Sequence, residues 1–189
     1  MQAPYSTASA AAGDAERLGG DERVHLADGR AVKLAPVGVQ DAAAEQAFVS
    51  ALSPTSRYRR FHLGIRELSA ETLHDFTHVD QHQHVAIVAR PADGPSRDLI
   101  VADARYVRSA DTGDAEFAVA VADAWQGAGL GRELLERLAR HARAHGVRRL
   151  FGDVLWGNEP MIALMRGLGA GLALHPGDST LVRAQFVLA

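Results

Sequence analysis

Three glycines stand within five positions, Gly127, Gly129 and Gly131, at the head of "WQGAGLGRELLERLARHARAHG" (125–146). The residues after them share one pattern. From about Leu130 to His145, Leu134, Leu135, Leu138, Ala139 and Ala142 fall on one helical stripe, and Gly146 supplies the left-handed residue that closes it. The segment before them, "AEFAVAVAD" (115–123), is strand-like. A strand that enters a helix through glycines leaves several amides without intrahelical partners at the point where the helix dipole adds partial positive charge, so the junction favours an anion. Glycine lets that backbone turn sharply and a ligand approach it closely. A tight turn with no ligand is the alternative.

Two well-known phosphate loops are tested and fail. A P-loop needs Lys-Ser/Thr after its last glycine, and here Gly131 is followed by Arg132-Glu133. The dinucleotide fingerprint has Gly127 and Gly129 at the right spacing and Asp153 at a plausible distance, but Arg132 stands at the third glycine. Too little chain follows Asp153 to complete a doubly wound sheet.

The rest of the chain decides what surrounds the junction. Residues 1–20 hold almost no large apolar side chain and read as a tail, leaving 21–189 as one domain. "VHLADGRAVKLAPV" (24–37) gives two short strands around Asp28-Gly29, a type I′ hairpin dipeptide. Helices are expected over Asp41–Leu52, after the Ser53-Pro54 cap, and from Ser69, where Thr72 stands in place of a capping-box acid. Strands follow at 84–90, 98–107 and 115–123, connected as antiparallel hairpins. After the long helix, "RRLFGDVLW" reads as a strand, Asn158-Glu159-Pro160 opens another helix to Leu168, and two strands close the chain.

Composition removes several function classes. The net charge of -3, with arginines spread along the chain, leaves no nucleic-acid footprint. There is no cysteine, which excludes thiolate metal sites and a cysteine nucleophile. No run of about eighteen apolar residues and no signal-peptide pattern is present, so no membrane partner and a cytoplasmic location are expected.

Gln126-Gly127-Ala128-Gly129-Leu130-Gly131 resembles the Q/R-x-x-G-x-G/A loop of the GNAT superfamily of acetyl-CoA-dependent acyltransferases, and the element order from Val24 onward is similar to that fold. "SRYRRF" (56–61), "VDQHQHVAIVA" (79–89) and "AEFAVAVADAWQGAGLG" (115–131) further resemble the acetyltransferase domain of bacterial Pat-type protein lysine acetyltransferases. Nothing resembling their regulatory or synthetase domains is present here.

The resemblance implies an α/β GNAT fold: a central mixed, mostly antiparallel sheet, split at a bulge and flanked by helices. It implies acetyl-CoA as co-substrate, without a metal, and an amine acceptor. Main-chain groups of Val119, Ala120 and Val121 would meet the pantetheine arm and acyl carbonyl. Amides of Gln126, Gly127, Ala128, Gly129, Leu130, Gly131 and Arg132 would hold the pyrophosphate. Asn158 would reach the pantetheine, with a plain helix cap as its alternative. Arg132 and the arginines at 137, 140 and 143 either screen a ligand's negative charge or form a solvated face. Glu116 matches the proposed general base, whereas without the resemblance an exposed strand-end glutamate is the simpler reading.

Relatives commonly carry a leaving-group tyrosine in Asn-x-x-Ala-x-x-Leu-Tyr; "NEPMIALM" puts Met165 there, and Met165 cannot be an acid. "HDFTH" (74–78), with His82 and His84 nearby, has metal-ligand spacing, but exposed histidines are the simpler reading. Trp125 and Trp156 are expected to pack in the core or at its rim. A protein lysine, a small-molecule amine or amino acid, and a non-catalytic coenzyme A-binding module all stay open as functions, as does the oligomeric state.

Overall fold

The computed structural model describes residues 18–20 and 23–188. β1 (Arg23–His25) and β2 (Ala31–Pro36) pair antiparallel, with Val24 opposite Val32. Their turn is a three-residue loop rather than a type I′ turn. Leu26 N–H donates to Arg30 O (2.8 Å), Gly29 N–H donates to Leu26 O (3.0 Å), and Gly29 is left-handed at φ 86°. A type I′ turn also needs positive φ at Asp28, which is not left-handed; its carboxylate instead accepts from the Arg30 N–H at 3.0 Å.

A 3₁₀ turn at Val39–Asp41 leads into α1 (Ala42–Ala51), and Ser53 caps α2 (Pro54–Phe61), its Oγ accepting from Ser56 N–H at 3.2 Å. α3 (Ala70–Thr77) starts on Ser69, whose Oγ accepts from Thr72 N–H at 3.1 Å. β3 (His84–Pro91), β4 (Ala102–Arg108) and β5 (Ala115–Val121) form the expected antiparallel meander. α4 (Leu130–Ala144) buries Leu134, Leu135, Leu138 and Ala142, and Gly146 past its end is left-handed at φ 76°. β6 (Arg149–Leu155), α5 (Glu159–Gly167), β7 (Gly171–His175) and β8 (Asp178–Val187) complete the order.

The eight strands form one sheet in the order β1-β2-β3-β4-β5-β6-β8-β7, antiparallel except for β5–β6. That parallel contact is short, with only Ala115 opposite Leu150 and Glu116 opposite Phe151. The strands then part. A Cβ at Gly152 would lie 2.9 Å from both the Phe117 carbonyl oxygen and its ring, so β6 passes against Phe117 where a side chain would not fit. The β4–β5 ladder runs unbroken through this region, and the sheet's register shift lies elsewhere, at Leu174/His175 in β7–β8.

Two cores sandwich the sheet. One holds Leu130, Leu134, Leu138 and Met165 from α4 and α5; the other holds Phe48, Val49, Leu52 and Leu68 against Ala86 and Val88 of β3. Residues 1–17 of the expected tail lie outside the described residues. Its last three do not behave as tail: Leu18 is buried in the first core, and Gly20 N–H donates to Leu34 O at 3.2 Å. Among the described residues, no helix is long and apolar enough to cross a membrane.

Candidate active site

Where β5 and β6 part, a cleft of about 310 Å³ opens between α2, the end of β5, the glycine loop and α5. Val119, Ala120, Val121, Gln126, Gly127, Gly129, Gly131, Arg132 and Asn158 all line it. Backbone alternation decides what β5 offers there. Ala122 N–H donates to Val101 O (2.8 Å), so Ala120 opposite Asp103 also spends its main chain on β4, while Val119 and Val121 turn theirs toward the gap left by β6. The Val121 carbonyl accepts from Gln126 Nε2 at 3.0 Å. Ala120 therefore brings a methyl group to the cleft rather than main-chain hydrogen bonds.

In the loop, Gly127 (φ 77°) and Gly129 (φ 91°) are left-handed, and nothing lies within 4 Å of the Cβ that either lacks. Conformation, not crowding, requires glycine there. Ala128 and Leu130 turn their side chains into the core, and Ala128 O accepts from Ala27 N–H at 3.1 Å, tying the loop to the β1–β2 turn. The first-turn amides of α4 end at this cleft with the positive end of its dipole.

Asn158 occupies the N-cap position of α5 and is buried, yet its side chain makes no capping hydrogen bond and faces the cleft. The carboxamide is thus not spent on the helix. The arginines of α4 are mostly held by the protein itself: Arg132 donates to Gly167 O (3.3 Å), Arg137 to Glu133 (2.6 Å) and Arg143 to Leu188 O (2.7 Å).

Glu116 is exposed, at the last paired position before the split, on the same face as Ala118 and Ala120. It does not line the cleft itself and lies three residues, roughly 10 Å of strand, before Val119. Its charge still reaches neighbouring cations. Arg60 is pushed down to about 10, first by burial, against the opposing pull of Asp103, Glu45 and Glu116.

Two features escaped the sequence reading. Asp123, just beyond β5, accepts from Ser53 N–H (2.9 Å), Ser53 Oγ–H (2.7 Å) and Ser56 Oγ–H (2.8 Å), while Ser56 Oγ accepts from Gln126 Nε2 (3.2 Å). This ties the head of α2 to the glycine loop across about seventy residues of sequence. Beneath α2 lies a buried charge cluster: Arg105 donates to Asp103 (2.6 Å) and Glu45 (3.1 Å), with Arg60 3.9 Å from Asp103. The only sequence signal was the arginine-rich "SRYRRF", because the acids come from α1 and β4.

Met165 is fully buried in the core, and Met161 and Leu164 form the cleft wall on α5. The His74 and His78 rings stack at 3.6 Å, with His78 Nδ1 at 3.0 Å from the His74 carbonyl, while His84 Nε2 lies 3.3 Å from Arg105. Trp125 lines the cleft under the Arg30 guanidinium (4.0 Å). Trp156 is 59% exposed, so it does not pack as expected.

Residues 57–170 match the acetyltransferase (GNAT) family. The chain is 36% identical over 158 residues to Acetyltransferase PA5475 of Pseudomonas aeruginosa, covering 83% of this chain and 84% of that protein. It is 36% identical over 120 residues to Acetyltransferase Pat of Mycolicibacterium smegmatis, which covers 62% of this chain but only 34% of that longer protein. Among solved structures, the GNAT domain of S. lividans PAT superposes with a TM-score of 0.79 at 32% identity, over 88% of this chain and 96% of that one.

Proposed function

The chain belongs to the acetyltransferase (GNAT) family, and on that premise we propose that it carries the acetyl group of acetyl-CoA to the side-chain amine of a protein lysine. The observation that carries the reading is the coincidence at one cleft of three things: β5 main chain that the split leaves without β6 as a partner, left-handed glycines before a helix N-terminus, and a buried asparagine not used as a cap. Amides of residues 126–132 and the α4 dipole suit the pyrophosphate. Val119 and Val121 offer main-chain partners to the pantetheine and acyl carbonyl, and Asn158 a carboxamide. The likeness to two proteins named Pat or PAT supports a protein acceptor.

A lysine amine with a pKa near 10.4 must lose its proton before attack, which costs about 4.6 kcal/mol at pH 7. Glu116 is the carboxylate that receives it, through water, given its distance along β5 from Val119. Attack at the thioester carbon displaces the thiolate, which takes a proton from solvent because Met165 stands in place of the tyrosine acid.

Glu116→Gln should leave acetyl-CoA affinity near that of the parent and lower turnover on lysine peptides roughly 100-fold near pH 7, with partial recovery at higher pH as the amine neutralises itself. Steady-state kinetics and calorimetry read both. Turnover at parent level at every pH removes Glu116 from the reaction. Transfer to small amines with none to lysine peptides overturns the acceptor.

A further inference from the structure

The cluster under α2 is costly. Each buried charge forfeits its hydration, and apolar side chains of the same volume would serve stability at least as well. Glu45 is fully buried and its Oε2 has no hydrogen-bond partner. Arg105 is clamped by both oxygens of Asp103 (2.6 and 3.1 Å) and Glu45 (3.1 Å), donates to Phe76 O (3.2 Å), and lies 3.7 Å over the Phe76 ring. Arg60 stands 3.9 Å from Asp103, its side chain 11% exposed, flanked by the rings of Phe61 (4.9 Å) and Phe76 (5.6 Å), and it lines the cleft beside Ala120.

The register fixes where that guanidinium lies. Asp103 is directly opposite Ala120, so the carboxylate that anchors Arg60 stands on the same sheet face as Ala120, about 5 Å away at Cβ. Val119 and Val121, whose main chain turns into the gap, are the residues on either side.

We propose that Arg60 is a catalytic residue, held by the Asp103–Arg105–Glu45 frame over Ala120, whose guanidinium stabilises the oxyanion formed from the acetyl carbonyl. This rests on the reading that the acyl group lies against Val119–Val121. In the step it assists, the amine nitrogen bonds to the thioester carbon and the carbonyl π pair moves onto oxygen, which Arg60 faces. That pair returns as the C–S bond breaks and the thiolate leaves, and the nitrogen's second proton passes to solvent, Glu116 having taken the first before attack. Burial, with Asp103 beside it, pushes the Glu45 carboxyl well above its ordinary range, so near neutral pH the frame holds two guanidiniums against one carboxylate. Arg60, nearest the cleft, presents the surplus positive charge.

Carboxymethyl-CoA, which puts a stable negative charge at the acyl position, tests this at equilibrium alongside acetyl-CoA. Arg60→Gln should keep acetyl-CoA affinity within about 2-fold of the parent, weaken carboxymethyl-CoA at least 10-fold, and lower kcat roughly 100-fold, the scale for a lost oxyanion donor. Arg60→Lys keeps a charge in the buried site and should fold even if the glutamine variant does not; it should retain part of the carboxymethyl-CoA preference. Asp103→Asn, which loosens the frame but keeps the cation, should move both readouts in the same direction by less. Unchanged carboxymethyl-CoA preference in Arg60→Gln, or in Arg60→Lys where only that variant folds, overturns the proposal and leaves the acetyltransferase reading standing. Parent protein that fails to bind acetyl-CoA overturns the reading beneath it.

Discussion

At the scale of single residues, the glycine loop makes the sharpest prediction. Gly129 sits at φ 91° with open space where its Cβ would be, so Gly129→Val costs backbone strain while its Cβ meets no protein atom. Strain of about 1–3 kcal/mol should leave the protein folded. The branched side chain fills the approach to the α4 amides, and acetyl-CoA affinity should fall at least 10-fold by calorimetry; parent-like affinity would place the anion site elsewhere. Gly127 and Gly129 were readable from sequence because positive φ is a local demand. Asn158 was not decidable there, since the same residue at a helix head serves as cap or as ligand. Only its missing capping bond and its place in the cleft wall separate the two.

Between elements, Asp123 joins what the chain keeps far apart. Its carboxylate caps α2 through Ser53 and Ser56, and Ser56 in turn holds the Gln126 amide whose other partner is the Val121 carbonyl. Asp123→Ala should destabilise the protein by about 1–2 kcal/mol, the range for a lost cap. That corresponds to a thermal midpoint lower by roughly 2–8 °C in a chain of this size. Because the tether ends on the loop, acetyl-CoA should also bind several-fold more weakly. Ser53→Ala, which removes the cap bond from Ser56 N–H and the hydroxyl's own bond to Asp123 but leaves Ser56 on Asp123, should share the instability with little loss of affinity; equal losses in both variants would show that the tether does not position the loop. The helices themselves were legible, since Ser53-Pro54, Ser69 and Gly146 act on neighbours in sequence. The parting of β5 and β6 was not, because which strands pair, and over how many residues, is decided between segments separated by a whole helix.

Across the whole molecule, two buried groups should shape stability against pH. Glu45 is pushed up to about 8, first by burial and then by Asp103. The native state therefore keeps a proton that the unfolded chain releases above about 4.3; this contribution is full below that pH and is lost as pH rises toward 8. His141, 2.9 Å from the Tyr106 hydroxyl, is pushed down to about 4, first by burial and then by His145 and His82. Its contribution is present above about 6.5 and is lost as pH falls toward 4. The two trends oppose each other between about 4.3 and 6.5, and above that the Glu45 decline stands alone. In thermal melts, Glu45→Gln should flatten the fall between pH 6.5 and 8, and His141→Gln should leave the Glu45 trend unopposed, so that stability climbs as pH falls from 6.5 to about 4.3; variants that run parallel to the parent would show that neither group titrates as its surroundings dictate. Neither effect was foreseeable from composition: Glu45 and His141 fall on the apolar stripes of their helices, in step with Phe48 and Leu52 and with Leu134 and Leu138, but only the packed structure shows which groups surround them. What the sequence by itself determined were the demands a chain satisfies with its neighbours: strand alternation, helix stripes, caps, the left-handed glycines and the loop resemblance. What only the tertiary structure decided were the split beside Val119, the tether at Asp123, the exposed place of Glu116 and the charge frame behind Arg60. Those depend on desolvation and contact between distant segments, which are set by how the sheet and helices close on one another.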